Sequence, residues 1–293
     1  MSSVQSQVLQ PLLRVQRLAQ RFATIEGTRR LSQASEHSNN LPKGVTSSLF
    51  KQGNLQYEWL TPPEFDAKRV LYYLHGGGFV FPLWNPLRRV IAYIISGAKI
   101  RALAVHYRLA PENPFPAAIE DCVAGYHWLT SEQAIAPKDI VFMGESAGAN
   151  LVVATLLTLR DSREPLPRKA APLCGPLDLE AGGAFTCDID PMANPRFVSK
   201  QILAYRGKAD PRNPLLSPVY ADLHGLPPLL IQVGSQEAFL DESILLARQA
   251  RQAGVTVTLE VWPGMWHYWH LFVPFLPEAR QAINRIIGFV GSA

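Results

Sequence analysis

The chain has 293 residues, of which 47% are hydrophobic and 18% charged, and its net charge is +4. That composition suits a folded globular chain and excludes a disordered or collagen-like one. The small basic excess is dispersed and forms no aromatic-interleaved stripe, which argues against a nucleic-acid partner.

Val4, Val8, Leu12, Val15, Leu18 and Phe22 recur at helical spacing and mark one apolar helix face. Arg14, Arg17 and Arg21 lie among them, and no acidic residue precedes Glu26. A basic amphipathic helix can bind membrane surfaces, and an Arg-rich, acid-poor start can be a transit peptide. The simpler reading is a helix that covers an active site. Glu26-Gly27 and the polar stretch 32–40 read as a linker or loop, so residues 1–45 stand apart from residues 46–293. Strands are predicted over 55–60, 70–74, 101–107, 140–143, 170–174, 229–233 and 255–261. Helices are predicted over 84–97, 116–131, 146–160, 241–253 and 277–290. This alternation predicts an α/β fold with a mostly parallel sheet and helices on both faces. The segment 178–210 carries Gly182-Gly183, prolines and an amphipathic stretch from Phe197 to Tyr205, and reads as a second covering piece between core strands. Asp178 reads as structural.

Two motifs carry chemistry. The strand 70–74 runs into His75-Gly76-Gly77-Gly78-Phe79, where consecutive glycines leave backbone N–H groups free to meet a developing oxyanion. The strand 140–143 runs into Gly144-Glu145-Ser146-Ala147-Gly148 and then a helix. A sharp strand-to-helix turn lifts a serine hydroxyl clear of the backbone, and the helix N-terminus favours negative charge there. A serine needs a base to become a nucleophile, and the base needs an orienting carboxylate. Of seven histidines, His267 follows the last predicted strand and comes after both serine and acid, with His270 as the alternative. His75 reads as ordering the glycine loop.

Together these motifs resemble the hormone-sensitive-lipase-like, HGGG branch of carboxylesterases. Tyr107-Arg108-Leu109-Ala110-Pro111-Glu112 with Phe115-Pro116-Ala117-Ala118, the run Ala209–Pro218, and Leu226–Gly234 extend the resemblance from about residue 55 to the end. The resemblance implies an α/β-hydrolase fold with a helical cap, and ester hydrolysis without cofactor or metal. The family's G-M-x-H pattern falls on Gly264-Met265-Trp266-His267. Its acid falls near Gln236, which cannot carry charge; Glu237 is the neighbour, 30 residues before His267. Asp241 is the other candidate, although with Glu242 it reads better as a helix start.

These residues assign Ser146 as nucleophile, His267 as base and Glu237 as acid, with Gly77, Gly78 and Ala147 as oxyanion donors. Phe79, Trp84, Glu145, Tyr205 and Trp266 are the candidate substrate contacts. Glu145 replaces the aspartate common before the serine in this family and is expected to support the site. The bulky run Phe79–Trp84 points to short-to-medium acyl esters. A membrane-associated lipase and a non-catalytic small-molecule sensor are the alternatives. Cys122, Cys174 and Cys187 form an odd set without metal spacing, which suggests free thiols and a cytoplasmic setting. No membrane span, signal-peptide core or membrane partner is expected. A homodimer through an edge strand is compatible with this fold.

Overall fold

A computed structural model describes residues 2–34, 41–180 and 189–292. Eight strands form one sheet: β1 (Thr46–Gln52), β2 (Leu55–Thr61), β3 (Asp66–Leu74), β4 (Ile100–His106), β5 (Ile140–Glu145), β6 (Lys169–Leu173), β7 (Leu229–Gly234) and β8 (Val257–Trp262). Their spatial order is β1-β2-β4-β3-β5-β6-β7-β8. β1 and β2 pair antiparallel, as do β2 and β4, and every later pairing is parallel.

The described helices are α1 (Val4–Ala19), α2 (Ile25–Ala34), α3 (Asn85–Ala98), α4 (Ala117–Ser131), α5 (Ala147–Asp161), α6 (Pro195–Arg206), α7 (Leu240–Gln252) and α8 (Pro277–Gly291). The sheet is buried between two helical layers because its strands alternate. Val70, Tyr72 and Leu74 of β3 pack in one cluster with Leu151 and Leu156 of α5 and Leu246 of α7. Leu71 and Tyr73 point the other way, against Val90 and Ile94 of α3 and Ile283 of α8. Each such side chain contributes roughly 1.5–3 kcal/mol by leaving water. The buried Tyr72 hydroxyl does not go unpaired, since it donates to the Cys122 carbonyl at 2.6 Å.

Two expectations are corrected. The strand β1 was not predicted; its sequence, TSSLFKQ, is largely exposed, and pairing with β2 rather than burial makes it a strand. The stretch expected as linker begins with a helix, α2. Arg29 anchors that helix, donating to the Val80 carbonyl at 2.7 Å, the Ala110 carbonyl at 2.5 Å and Glu112. The expected loop around residues 35–40, the Gly182-Gly183 pair and Cys187 lie outside the described residues. Cys122 and Cys174 are buried free thiols. Among the described residues, no helix is long and apolar enough to cross a membrane.

Candidate active site

The parallel strands all end at one edge of the sheet, and the loops leaving that edge carry the site. β5 ends at Glu145 and α5 starts at Ala147, so Ser146 alone makes the turn, with φ 54° and ψ −124°. A positive φ is costly for any residue with a side chain, and persists only where surroundings enforce it. Here the Ser146 N–H donates to the Leu173 carbonyl at 2.9 Å. Gly148 allows α5 to start directly against β3: a Cβ there would stand 1.9 Å from the Leu74 carbonyl oxygen.

Ser146 Oγ lies 3.0 Å from His267 Nε2, and His267 Nδ1 lies 2.8 Å from Glu237 Oε1. The other Glu237 oxygen accepts the Gly234 N–H at 2.9 Å. With Nδ1–H donating to the carboxylate, Nε2 is left to accept from the serine hydroxyl. Two hydrogen bonds lock the loops together: Gln236 N–H donates to the Met265 carbonyl at 2.9 Å, and Gly264 N–H to the Ser235 side-chain Oγ at 2.8 Å. Burial alone would depress the His267 pKa. The hydrogen bond and charge of Glu237, with the charges of Asp190 and Glu145, overcome this and hold it above the ordinary imidazole value.

The competing assignments fall elsewhere. His270 is fully buried and bonds Gln232 Oε1 at 2.8 Å; burial, reinforced by the His267 charge, lowers its pKa to about 3. Asp241 is exposed in the first turn of α7. His75 orders the glycine loop as expected, bonding the Gly76 carbonyl at 2.7 Å and stacking on Tyr107.

Gly77 and Gly78 have φ of 117° and 60°. The N–H groups of Gly77, Gly78 and Ala147 donate to no described residue. Glu145 is buried beside them. Its carboxylate accepts the Gly76 N–H at 2.6 Å and the Tyr73 hydroxyl. Burial raises its pKa to about 7 against these hydrogen bonds. It ties the turn that carries the serine to the glycine loop.

A cavity of about 450 Å³ opens over Ser146 and His267. That size fits a small organic ligand, and its walls are mostly apolar. Phe79, Trp84 and Glu145 line it, as expected. Tyr205 and Trp266 do not. Tyr205 is fully buried behind the wall, its ring stacked on Phe79 at 3.8 Å. Trp266 points into the core on the other side of the sheet, edge-on to Phe272. Sequence reasoning missed Gln16, Gln20, Thr28 and Gln201, which line the cavity from the N-terminal segment and α6. It also missed Asp190, which is buried and accepts the Ala238 N–H at 3.2 Å, beside the Glu237 loop. No periodicity marks such residues, because only tertiary contact brings them together. Among the described residues, no group of three or more His, Cys, Asp or Glu side chains could hold a metal ion.

A family model described as alpha/beta hydrolase fold matches residues 71–271, a span that holds the glycine loop, the strand–serine–helix turn and the late histidine. The chain belongs to the alpha/beta hydrolase fold family. An acetyl-hydrolase of Streptomyces hygroscopicus is 41% identical, over 82% of this chain and 81% of its own. An esterase of Acinetobacter venetianus is 34% identical, over 77% and 76%. Among solved structures, an esterase from the bacterial hormone-sensitive lipase family is 39% identical with a TM-score of 0.90, covering 99% of this chain and 98% of that one. EstE5, soaked with p-nitrophenyl butyrate, is 35% identical with a TM-score of 0.89 and the same coverage. The expected branch, the fold and the carboxylic ester hydrolase class are thereby borne out.

Proposed function

We propose that the protein is a serine carboxylesterase that hydrolyses short-to-medium acyl esters through an acyl-enzyme. One observation carries the reading: Ser146, His267 and Glu237 form an unbroken hydrogen-bonded chain that opens into an apolar cavity. Ser146 Oγ attacks the ester carbonyl carbon while its proton passes to His267 Nε2. The oxyanion takes hydrogen bonds from the N–H groups of Gly77, Gly78 and Ala147. Collapse breaks the ester bond, and the leaving alkoxide takes the proton from Nε2. Water repeats the sequence on the acyl-enzyme and restores Ser146. Glu237 holds the imidazole tautomer and stabilises the imidazolium. Glu145 positions the glycine loop.

The pieces at 1–45 and 178–210 serve as the cap. Gln16 and Thr28 of the first, and Phe197 and Gln201 of the second, support that role by walling the cavity. The buried free thiols support a reducing, cytoplasmic setting. A homodimer is proposed through an open sheet edge, β1 or β8.

The test is hydrolysis of p-nitrophenyl esters from acetate to palmitate. Activity is expected to peak among the shorter chains. A peak at palmitate would replace this reading with a lipase, and no turnover by folded protein would favour a sensor.

A further inference from the structure

The helix α1 carries apolar residues on both of its faces. The side that meets the body of the protein is mixed: Leu13 is buried and Leu9 packs against the same core, among several polar residues. Ser3 at its N-cap donates through N–H and hydroxyl to Glu278 at 2.6 and 2.8 Å. Gln10 donates to the Gly264 carbonyl at 3.2 Å, and the Asn194 amide donates to the Arg17 carbonyl at 3.2 Å. Ser6 is buried, and Gln16 lines the cavity. The apolar stripe found in the sequence faces away. Val4, Val8, Leu12, Val15, Leu18 and the following Phe22 are 54% to 88% exposed. A surface helix of a globular protein ordinarily turns such a stripe to the core. A contiguous exposed apolar patch marks an interaction surface.

Charge selects the occupant. Arg14 and Arg21 are exposed on the flank of the stripe, and no acidic residue occurs between residues 1 and 25. A symmetric pairing with a second copy would set arginines against arginines with no carboxylate on the helix to relieve them. An anionic lipid surface satisfies both features, since the stripe enters the acyl boundary and the guanidinium groups meet headgroup phosphates. We propose that the outer face of α1 docks the protein on anionic lipid surfaces, with the cavity-lining face of the same helix turned toward the site.

The test is flotation of the full chain with phosphatidylcholine vesicles, with and without phosphatidylglycerol. The protein is expected to float with the anionic vesicles and to be released by about 0.5 M salt. The triple variant Val8→Glu, Leu12→Glu, Val15→Glu should lower the bound fraction by about tenfold, as should Arg14→Gln with Arg21→Gln. Neither variant touches the cavity, so hydrolysis of p-nitrophenyl acetate should be unchanged and reports that each is folded. Failure of the wild type to float, or equal flotation of the variants, would overturn the proposal. So would a wild-type dimer that the triple variant turns into a monomer, which would make a second copy the occupant. Flotation reads binding and not turnover, so its outcome is separate from the esterase reading.

Discussion

Glu237 accepts from His267 Nδ1 through one oxygen at 2.8 Å, and its second oxygen is held by the Gly234 N–H at 2.9 Å. The carboxylate is therefore fixed at both ends before any substrate binds. Glu237→Gln keeps the shape but can present an amide donor to Nδ1, which favours the wrong tautomer. It is expected to lower kcat by about 10³- to 10⁴-fold, whereas Asp241→Asn leaves kcat within about twofold. Equal losses in the two variants would move the acid to Asp241.

The same pair sets the pH dependence. With neutral His267 as the proposed base, kcat/KM is expected to fall as pH drops through its pKa, which lies above the ordinary 6.5. Removing the Glu237 charge and its hydrogen bond as acceptor leaves burial opposed only by the charges of Asp190 and Glu145. The acidic limb of the pH profile in Glu237→Gln should therefore move to lower pH. A limb that stays in place would separate Glu237 from the histidine.

Ser146→Ala should remove turnover of p-nitrophenyl esters by about 10⁴-fold or more while the thermal unfolding midpoint stays close to wild type. Ala relieves nothing essential, because the turn is enforced by backbone contacts to Leu173 and β3. Retained burst kinetics in this variant would rule out the acyl-serine route.

Gly78 combines a φ of +60° with a close neighbour: an added Cβ would lie 2.5 Å from the Gln201 amide. Gly78→Ala should cost about 10²-fold in kcat by displacing a proposed oxyanion donor. If Gly78→Ala also raises KM, pairing it with Gln201→Ala should recover the KM component, since Gln201 lines the cavity. Unchanged kcat in Gly78→Ala would leave the donors to other N–H groups.

Away from the site, Glu58 is fully buried at the junction of β2 and α3, bonded to Arg88 at 2.8 and 3.0 Å, His106 at 3.1 Å and Ser47 at 2.7 Å. Burial pushes its pKa up, but these hydrogen bonds and the Arg88 charge prevail and hold it at about 2 against the ordinary 4.5. The stability it contributes is present above pH 4.5 and is lost as pH falls toward 2. Glu58→Gln leaves Arg88 buried without its counter-charge and should cost about 3 kcal/mol by chemical denaturation. A loss under about 0.5 kcal/mol would show that solvent screens the pair.

The central strands were legible because each is a nearly continuous apolar run, the signature of burial on both faces. The serine turn and the glycine loop were legible because their chemistry is local in sequence. Other features depend on long-range placement. β1 needs β2 beside it, and Asp190 matters through Ala238 far along the chain. Tyr205 and Trp266 were sensible aromatic candidates, yet their directions are set by packing. Periodicity groups Val4, Val8, Leu12, Val15 and Leu18 on one face of α1, and only the structure says that this face looks outward.

Gln16, Gln20 and Thr28 wall the cavity more than a hundred residues before the serine they face. The proposed catalytic residues and part of the cavity wall are thus written in separable stretches of the chain. Exchanging the first 34 residues between relatives, with Arg29 retained as the clamp on the glycine loop, would alter which esters enter without disturbing how they are cleaved.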